Sequence, residues 1–490
     1  MSDQTELRET AVPPLDAQTE PMSARDRTVI GVLLVSTFVV ILNETIMSVA
    51  LPVLMHDLDV DASTGQWLTA GFLLTMAVII PVTGFLIKRV PTRTLYGVAM
   101  TLFSTGTLLA ALTPGFGVLL AARVIQASGT AIMMPLLMTA VMTLVPARRR
   151  GAIMGNISIV ISVAPAIGPT ISGVVLSLLG WRWMFWTVLP IAVAALALGL
   201  PRMVDVGERS GVRVDVLSVV LSVFGFGGLV YGLSSIGQAS SAPAIVPLWV
   251  PFVVGAVGLA AFVARQLALQ RTDTALLDLR TFRARTFTTA SVLMAVMMMA
   301  MLGTVVLLPI YLQNVLHLRP LVIGLLLLPG GLLMGLLSPV VGRLYDRFGP
   351  RALLVPGATL ASASLWFASL FTSTSSIWHV LGFHILLSIG LAFIFTPLFS
   401  AGLGAVEPRF YSYGSAIFAT TQQLAGAAGV ALLVTVMSLR AAGLARAGDP
   451  TVEQTAGGIH TAFLVAALLS LVAIVGAFLI RADRENGEPG

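Results

Sequence analysis

Glu44 stands inside "FVVILNETIMSVALPVL", residues 38–54, among apolar neighbours. It lies 17 residues beyond Arg27 and 13 before Asp57, which is ~25 Å and ~20 Å along a helix rising ~1.5 Å per residue. An ionised acid in hydrocarbon is costly, so such residues usually face a bundle interior or water and mark ion and substrate paths. The chemistry open to this group is proton exchange as its surroundings alternate between two access states, tuned by any cation nearby. One cation shares its depth class. Arg123, in "LLAARVIQASGTA", is the single Lys or Arg inside an apolar run; it sits roughly 10 Å beyond the start of its helix near Phe116. Glu44 and Arg123 form the candidate proton-coupling pair. A permanently protonated acid bonded to helix backbone, and an arginine satisfied by carbonyls, are the plainer readings of the same residues.

Other polar residues in apolar runs are candidates for lining a substrate cavity: Asn43, Gln126 and Gln422, with Gln423 beside it. Met294, Met298 and Met301 recur at i, i+4 and i+7, so they share one helical face. Flexible, polarizable methionines suit ligands of varied shape, although the same stripe also suits lipid contact or packing. His384 reads as a hydrogen-bonded structural histidine, with a second protonatable group as the alternative. The chain holds no Walker-type G-x-x-x-x-G-K-[ST], no H-E-x-x-H and no G-x-S-x-G. It has no cysteine, which excludes disulfides, a thiol nucleophile and cysteine metal sites. No enzyme chemistry, metal or cofactor is expected.

Stepping from these residues to the elements that must hold them, the 490-residue chain is 57% hydrophobic, only 10% charged, and has a mean hydropathy of +0.96. Soluble domains are about 25% charged, so the class is an all-α integral membrane protein. The pI near 10.3 reflects basic residues scattered over short connections, which favours membrane orientation over nucleic-acid binding. Spans are expected near 28–50, 66–87, 95–113, 117–145, 152–179 and 183–201, then 216–235 and 246–264. Six more follow near 287–311, 321–341, 352–371, 378–400, 414–438 and 459–480, for fourteen in all. With the N-terminus inside, 23 of the 28 Lys and Arg are cytoplasmic, so both termini are expected there. "PVTGFLIKRVPTRTL" from Pro81 and "PVVGRLYDRFGPRAL" from Pro339 match at seven of fifteen positions, an offset of 258. The offset pairs Glu44 with Leu302. It makes the chain two six-helix bundles with two inserted helices. The expected division is a disordered tail at 1–27, bundles at 28–201 and 286–481, an insert with its loops at 202–285, and a cytoplasmic tail at 482–490.

These residues resemble the major facilitator superfamily, specifically its fourteen-span drug:proton antiporters. "LNETIMSVALP" resembles the group's first-helix signature, with Asn43 in the usual Asp place and the acid one position later. "GFLIKRVPTR" and "GRLYDRFGPR" resemble its G-x-L-x-D-R-x-G-R-R loop, "LLAARVIQASGTA" its fourth-helix pattern, "GNISIVISVAPAIGPTISG" its fifth and "WRWMFWTVLPI" its sixth. The first loop departs from the pattern, with Lys88 and Pro91 where Asp and Gly are usual; the second copy keeps Asp346 and Gly349. The resemblance implies conformational roles for Lys88, Arg89, Arg343, Asp346 and Arg347 as a charge latch, and for Gly155, Gly168, Pro169 and Gly173 as a bend in the fifth helix. Solvated loops and close helix packing are the plainer alternatives. The implied function is proton-coupled export of amphipathic, drug-like molecules across a bacterial inner membrane by a monomer surrounded by lipid. Export of an endogenous lipid or metabolite, and a non-transporting sensor or assembly factor, are the competing classes.

Overall fold

The computed structural model describes residues 22–60, 62–65, 67–146, 149–205, 215–238, 247 and 249–480. The C-terminal tail, the N-terminal tail up to residue 21 and the 206–214 connection lie outside these residues.

In lipid every backbone polar group must be satisfied within the protein, so apolar runs of this length become helices. The first bundle comprises α1 (Ala24–Asp57), α2 (Trp67–Arg89), α3 (Thr92–Ala111), α4 (Phe116–Leu144), α5 (Arg150–Leu179) and α6 (Arg182–Gly199). The insert is α7, made of Val216–Ser222, a π-helical turn at Val223–Gly227 and Gly228–Gln238, followed by α8 (Trp249–Leu269). The second bundle comprises α9 (Arg285–Asn314), α10 (Pro320–Phe348), α11 (Arg351–Ala368), α12 (Ile377–Gly404), α13 (Tyr411–Arg446) and α14 (Thr451–Leu479). Among the described residues twelve helices are long and apolar enough to cross a membrane; α5 and α11 are not among those twelve. Several carry an interior proline, Pro81 and its repeat counterpart Pro339 included. Neighbouring helices re-satisfy the freed carbonyls in such bundles.

The repeat found in sequence is a repeat in space. α1 packs on α5 as α9 packs on α13. Gly168 of α5 lies against Thr45, and Gly426, its counterpart at the 258 offset, lies against Leu302, the counterpart of Glu44. The two halves meet along two seams, α5 with α10 and α2 with α13, of which the first is the more extensive. Both tighten toward the end of the bundle that carries Lys88, Arg150, Arg347 and Arg409, referred to below as the basic end. The insert packs outside the second seam, against α2 and α13. Trp67 of α2 stacks on Tyr231 of α7 at 5.6 Å. Within the insert, Gly225 and Gly228 meet Gly258 and Gly255 backbone to backbone, the close approach that small residues permit in membranes.

Candidate functional site

Glu44 lies on α1 one residue before Thr45, whose hydroxyl donates to Leu42 O (2.9 Å) and to Ala164 O of α5 (3.4 Å). Glu44 is partly buried as a residue, whereas Asn43 beside it is buried with its Nδ2 unpaired among the described residues. Arg123 is fully enclosed, 2% exposed. Its Nη1 donates to Gln126 Oε1 at 2.6 Å, its Nε to Leu68 O at 3.5 Å, and its guanidinium lies 4.1 Å over the Phe72 ring. Gln126 Nε2 in turn donates to Thr107 Oγ1 at 2.8 Å, and Thr107 to Phe103 O at 2.7 Å. Glycines make this chain possible. Gly106 of α3 lies against the backbone of Ala122 and Gln126, and Gly129 of α4 against Ala99 and Phe103. The two helices therefore approach closely enough for one hydroxyl to reach the Gln126 amide.

Among the described residues no ion pair of 4 Å or less joins Glu44 and Arg123. The cation is anchored by neutral groups and the acid is left without a fixed partner. A buried ion pair would resist losing its proton-accepting partner; a separated pair leaves the carboxyl able to change state while the field around it persists.

The other cavity candidates are spread more widely. Met294 is buried, Met298 and Met301 are partly buried, and all three lie on α9. Gln422 is partly buried on α13, while Gln423 Nε2 reaches Met76 Sδ of α2 at 3.5 Å, across the seam. His384 Nε2 donates to Leu327 O (3.0 Å), and its buried Nδ1 has no partner among the described residues.

At the basic end the expected charge latch takes a different form. Asp346 makes no ion pair among the described residues. Its two carboxylate oxygens accept from the backbone N–H groups of Gly151 and Ala152, both at 2.9 Å, at the start of α5. Helix N-termini expose unsatisfied N–H groups and a positive dipole end, so a carboxylate there is doubly favoured. Arg343 Nε donates to Pro339 O of its own helix (3.3 Å), and Arg347 lies over Phe348 (5.2 Å). Gly349, at φ 76°, adopts backbone that side-chain-bearing residues avoid and lets α11 begin two residues later. Gly155 and Gly151 of α5 are the contact points for α10: a Cβ on either would strike the backbone of Ser338, Pro339 or Gly342. Gly173 is different, since a Cβ there would meet nothing within 4 Å. α5 stays helical through Pro169, whose side chain is outside the described part. In the first copy, Lys88 Nζ lies 4.4 Å over the Tyr413 ring and 6.0 Å over Phe410 of the α13 start, and Arg89 is exposed.

Two hydroxyl bridges between the halves were not anticipated. Ser158 Oγ of α5 and Thr396 Oγ1 of α12 are 2.8 Å apart, and Thr139 Oγ1 of α4 donates to Ser415 Oγ of α13 at 3.3 Å. They occupy corresponding helix pairs, but at the 258 offset Ser158 and Thr139 fall on Ala416 and Pro397, one residue beyond Ser415 and Thr396.

The family model described as Major Facilitator Superfamily matches residues 33–430. The chain belongs to that family. Among its relatives is the lincomycin resistance protein LmrB of Bacillus subtilis (strain 168), 40% identical over 461 residues, covering 92% of this chain and 94% of that one. The uncharacterized MFS-type transporter YcnB of the same organism is 40% identical over 464 residues, with 94% and 96% covered. A multidrug resistance protein B homolog of Mycobacterium tuberculosis is 28% identical, with 83% and 75% covered. The crystal structure of the human organic anion transporter MFSD10 (TETRAN) has the same fold, with a TM-score of 0.67 at 15% identity over 93% of this chain and 99% of that one. The expected membership of a major facilitator, with drug-resistance relatives, is thus established, and with it membrane transport of small molecules.

Proposed function

We propose that this transporter is a proton-coupled antiporter that exports amphipathic, drug-like compounds across a bacterial inner membrane by alternating access. The reading includes fourteen crossings, counting α5 and α11, with both termini cytoplasmic. The basic end is then the cytoplasmic face, and its two tight seams represent a state closed to the cytoplasm. The observation that carries it is an intramembrane acid, Glu44, with no ion-pair partner among the described residues, in the same bundle as a cation, Arg123, anchored by neutral groups. In this cycle Glu44 takes a proton from outside as substrate leaves. It gives the proton up inside as new substrate binds, and Arg123 tunes the exchange. Asn43, Gln126, Gln422 and the methionine face of α9 are the proposed cavity lining. Relatives named for lincomycin and multidrug resistance support export of drug-like cargo.

Glu44→Gln removes the titrating group at nearly constant volume. Proton-driven efflux of lincomycin and of amphipathic dyes from everted vesicles should be lost, while Glu44→Asp retains part of it. Wild-type efflux by the Gln variant would overturn the reading.

A further inference from the structure

The segment leaving the insert, between α8 and α9, is built into the α2–α13 seam. Gln266 of α8 is fully buried; its Oε1 accepts from Leu276 N (2.8 Å) and Leu277 N (3.1 Å), and its Nε2 donates to Ser218 Oγ (2.8 Å). That one amide pins the segment to both inserted helices. Ala275, Leu276, Leu277, Asp278 and Thr281 are all buried. Tyr413 Oη of α13 donates to Ala275 O (3.4 Å), and Gly414 lies against Thr281. Asp278 caps the short 3₁₀ turn Leu279–Arg283 and accepts from Arg280 Nη2 at 2.6 Å; Arg280 also bonds Asp273 and lies 5.5 Å from the Phe410 ring. Lys88 and Arg280 lie over the same Phe410 ring, at 6.0 and 5.5 Å, and Lys88 also lies over Tyr413, which bonds Ala275 of this segment.

At the 258 offset Lys88 is the counterpart of Asp346. One seam has an acid at this position, satisfied by the start of α5; the other has a base there, stacked on the start of α13. We propose that Asp278, carried in by the segment 273–283, supplies at the α2–α13 seam the acidic group that Asp346 supplies at the α5–α10 seam. The insert then acts in the transport cycle as a strap that holds the second seam shut, with Asp278 positioning Lys88 and the first turn of α13. Asp278 bonds Arg280, and Arg280 shares the Phe410 ring with Lys88, so the acid reaches across the seam through that ring and cation. This inference rests on the alternating-access reading above, but not on proton coupling or on the cargo.

The absence of cysteine allows a clean test. Leu277→Cys places a thiol in the buried strap, and alkylation by a membrane-impermeant maleimide in everted vesicles reports undocking without any transport. Gln266→Ala, which frees the two strap N–H groups, should raise the labelling rate and calibrates the readout. Asp278→Asn should raise it about 10-fold, a typical coupling between linked sites. Lys88→Asp alone should also raise it, since it sets a second acid beside Asp278. Combined, Lys88→Asp and Asp278→Asn put a single acid back at the seam, in the repeat's own position, and labelling should return to within about threefold of the parent. A purely local role for Asp278 predicts no such rescue, and a double variant labelled as fast as Asp278→Asn overturns the proposal. Should Asp278→Asn lower the amount of folded protein, Lys88→Asp decides alone: labelling equal to the parent overturns the proposal. Loss of efflux coupling in Glu44→Gln leaves this labelling pattern unchanged, so the two readings fail separately.

Discussion

The α5–α10 and α2–α13 seams descend from one repeat and close the same end of the molecule, yet their chemistry differs. Along α5–α10 the backbones touch: Gly342 lies against Gly151 and Ala152, and Gly155 against Ser338 and Pro339. The closing charge is a carboxylate on two amide N–H groups. Along α2–α13 the position equivalent to Gly155 is Tyr413, the position equivalent to Asp346 is Lys88, and the closing contact is a cation over an aromatic face. The insert covers only this second seam. The second seam keeps Gly84, the counterpart of Gly342, but has a lysine and an aromatic where the first has Asp346 and Gly155, and it is the seam the insert packs against. The hydroxyl bridges Ser158–Thr396 and Thr139–Ser415 occupy corresponding helix pairs. What was preserved is the buried part, and what diverged is the rim.

The largest expected effect tests the claim that α5–α10 depends on backbone contact. Gly342→Val puts two methyl groups where the Gly151 carbonyl already stands, and neither helix backbone can yield as a side chain could. Efflux should fall about 100-fold, equivalent to roughly 2.7 kcal/mol, in protein that still elutes as a folded monomer. Gly84→Val is the matching change on α2, where a Cβ would meet the Ala416 side chain and Ser412 O. The approach here is looser than at Gly342, and with the strap in place the loss should be nearer 10-fold. Equal losses would mean that the two seams do not differ in how they close.

A smaller contrast separates their charges. A carboxylate bonded to helix N-terminal N–H groups contributes about 1–2 kcal/mol, so Asp346→Asn should slow efflux roughly 5- to 30-fold. A partly exposed cation–π contact is worth about 0.5–1 kcal/mol, so Lys88→Met should cost only about 2- to 5-fold. Efflux rates of the two variants in the same vesicles check the order; a larger effect at Lys88 would reverse the assignment of the stronger latch.

Much of this was legible in the chain because each signal had a single cause. Apolar run length dictated the helices, and the offset of 258 dictated which helices are copies, down to Gly168 and Gly426 at the α1–α5 and α9–α13 crossings. Glu44 and Arg123 were visible because charge is rare in such runs. What could not be read was who satisfies whom. Arg123 turned out to be held by Gln126, Leu68 and Phe72, since one residue three positions along the same helix and two on α2 reach it before any acid does. Asp346 was expected to join arginines in a charge network, but the nearest donors are amides of a helix start brought in by tertiary packing. The strap was unreadable for the same reason. "TALLDLRTFR" looks like a charged connection, and the Gln266 amide, accepting from the segment and donating to α7, is what holds Leu276 and Leu277 buried.

The smallest expected effect concerns the base of the insert, where Asp215 is both the cap of α7 and the partner of α8. Its carboxylate accepts from Arg265 Nε (3.0 Å) and Nη2 (3.1 Å) and from Ser218 N (3.2 Å) and Oγ (2.5 Å). The Arg265 hydrogen bonds, followed by those of Ser218, hold this carboxyl below its ordinary value of 3.8 despite partial burial. A depressed acid stabilises the folded state above its unfolded pKa. That contribution fades as pH falls through the lower folded value. The clamp should therefore be intact at pH 5 and above and weaken only below about pH 4. Arg265 is 39% exposed, so solvent screening keeps the pair's contribution small. Amide hydrogen exchange over α7 and α8 in detergent should show protection falling between pH 4 and 3 in the parent, after correction for intrinsic rates, and a lower, flat level in Asp215→Asn. If the insert braces only the α2–α13 seam, protection at the start of α13 should fall with it while the start of α5 stays unchanged. Parallel loss at both helix starts would mean that the brace acts on the whole bundle.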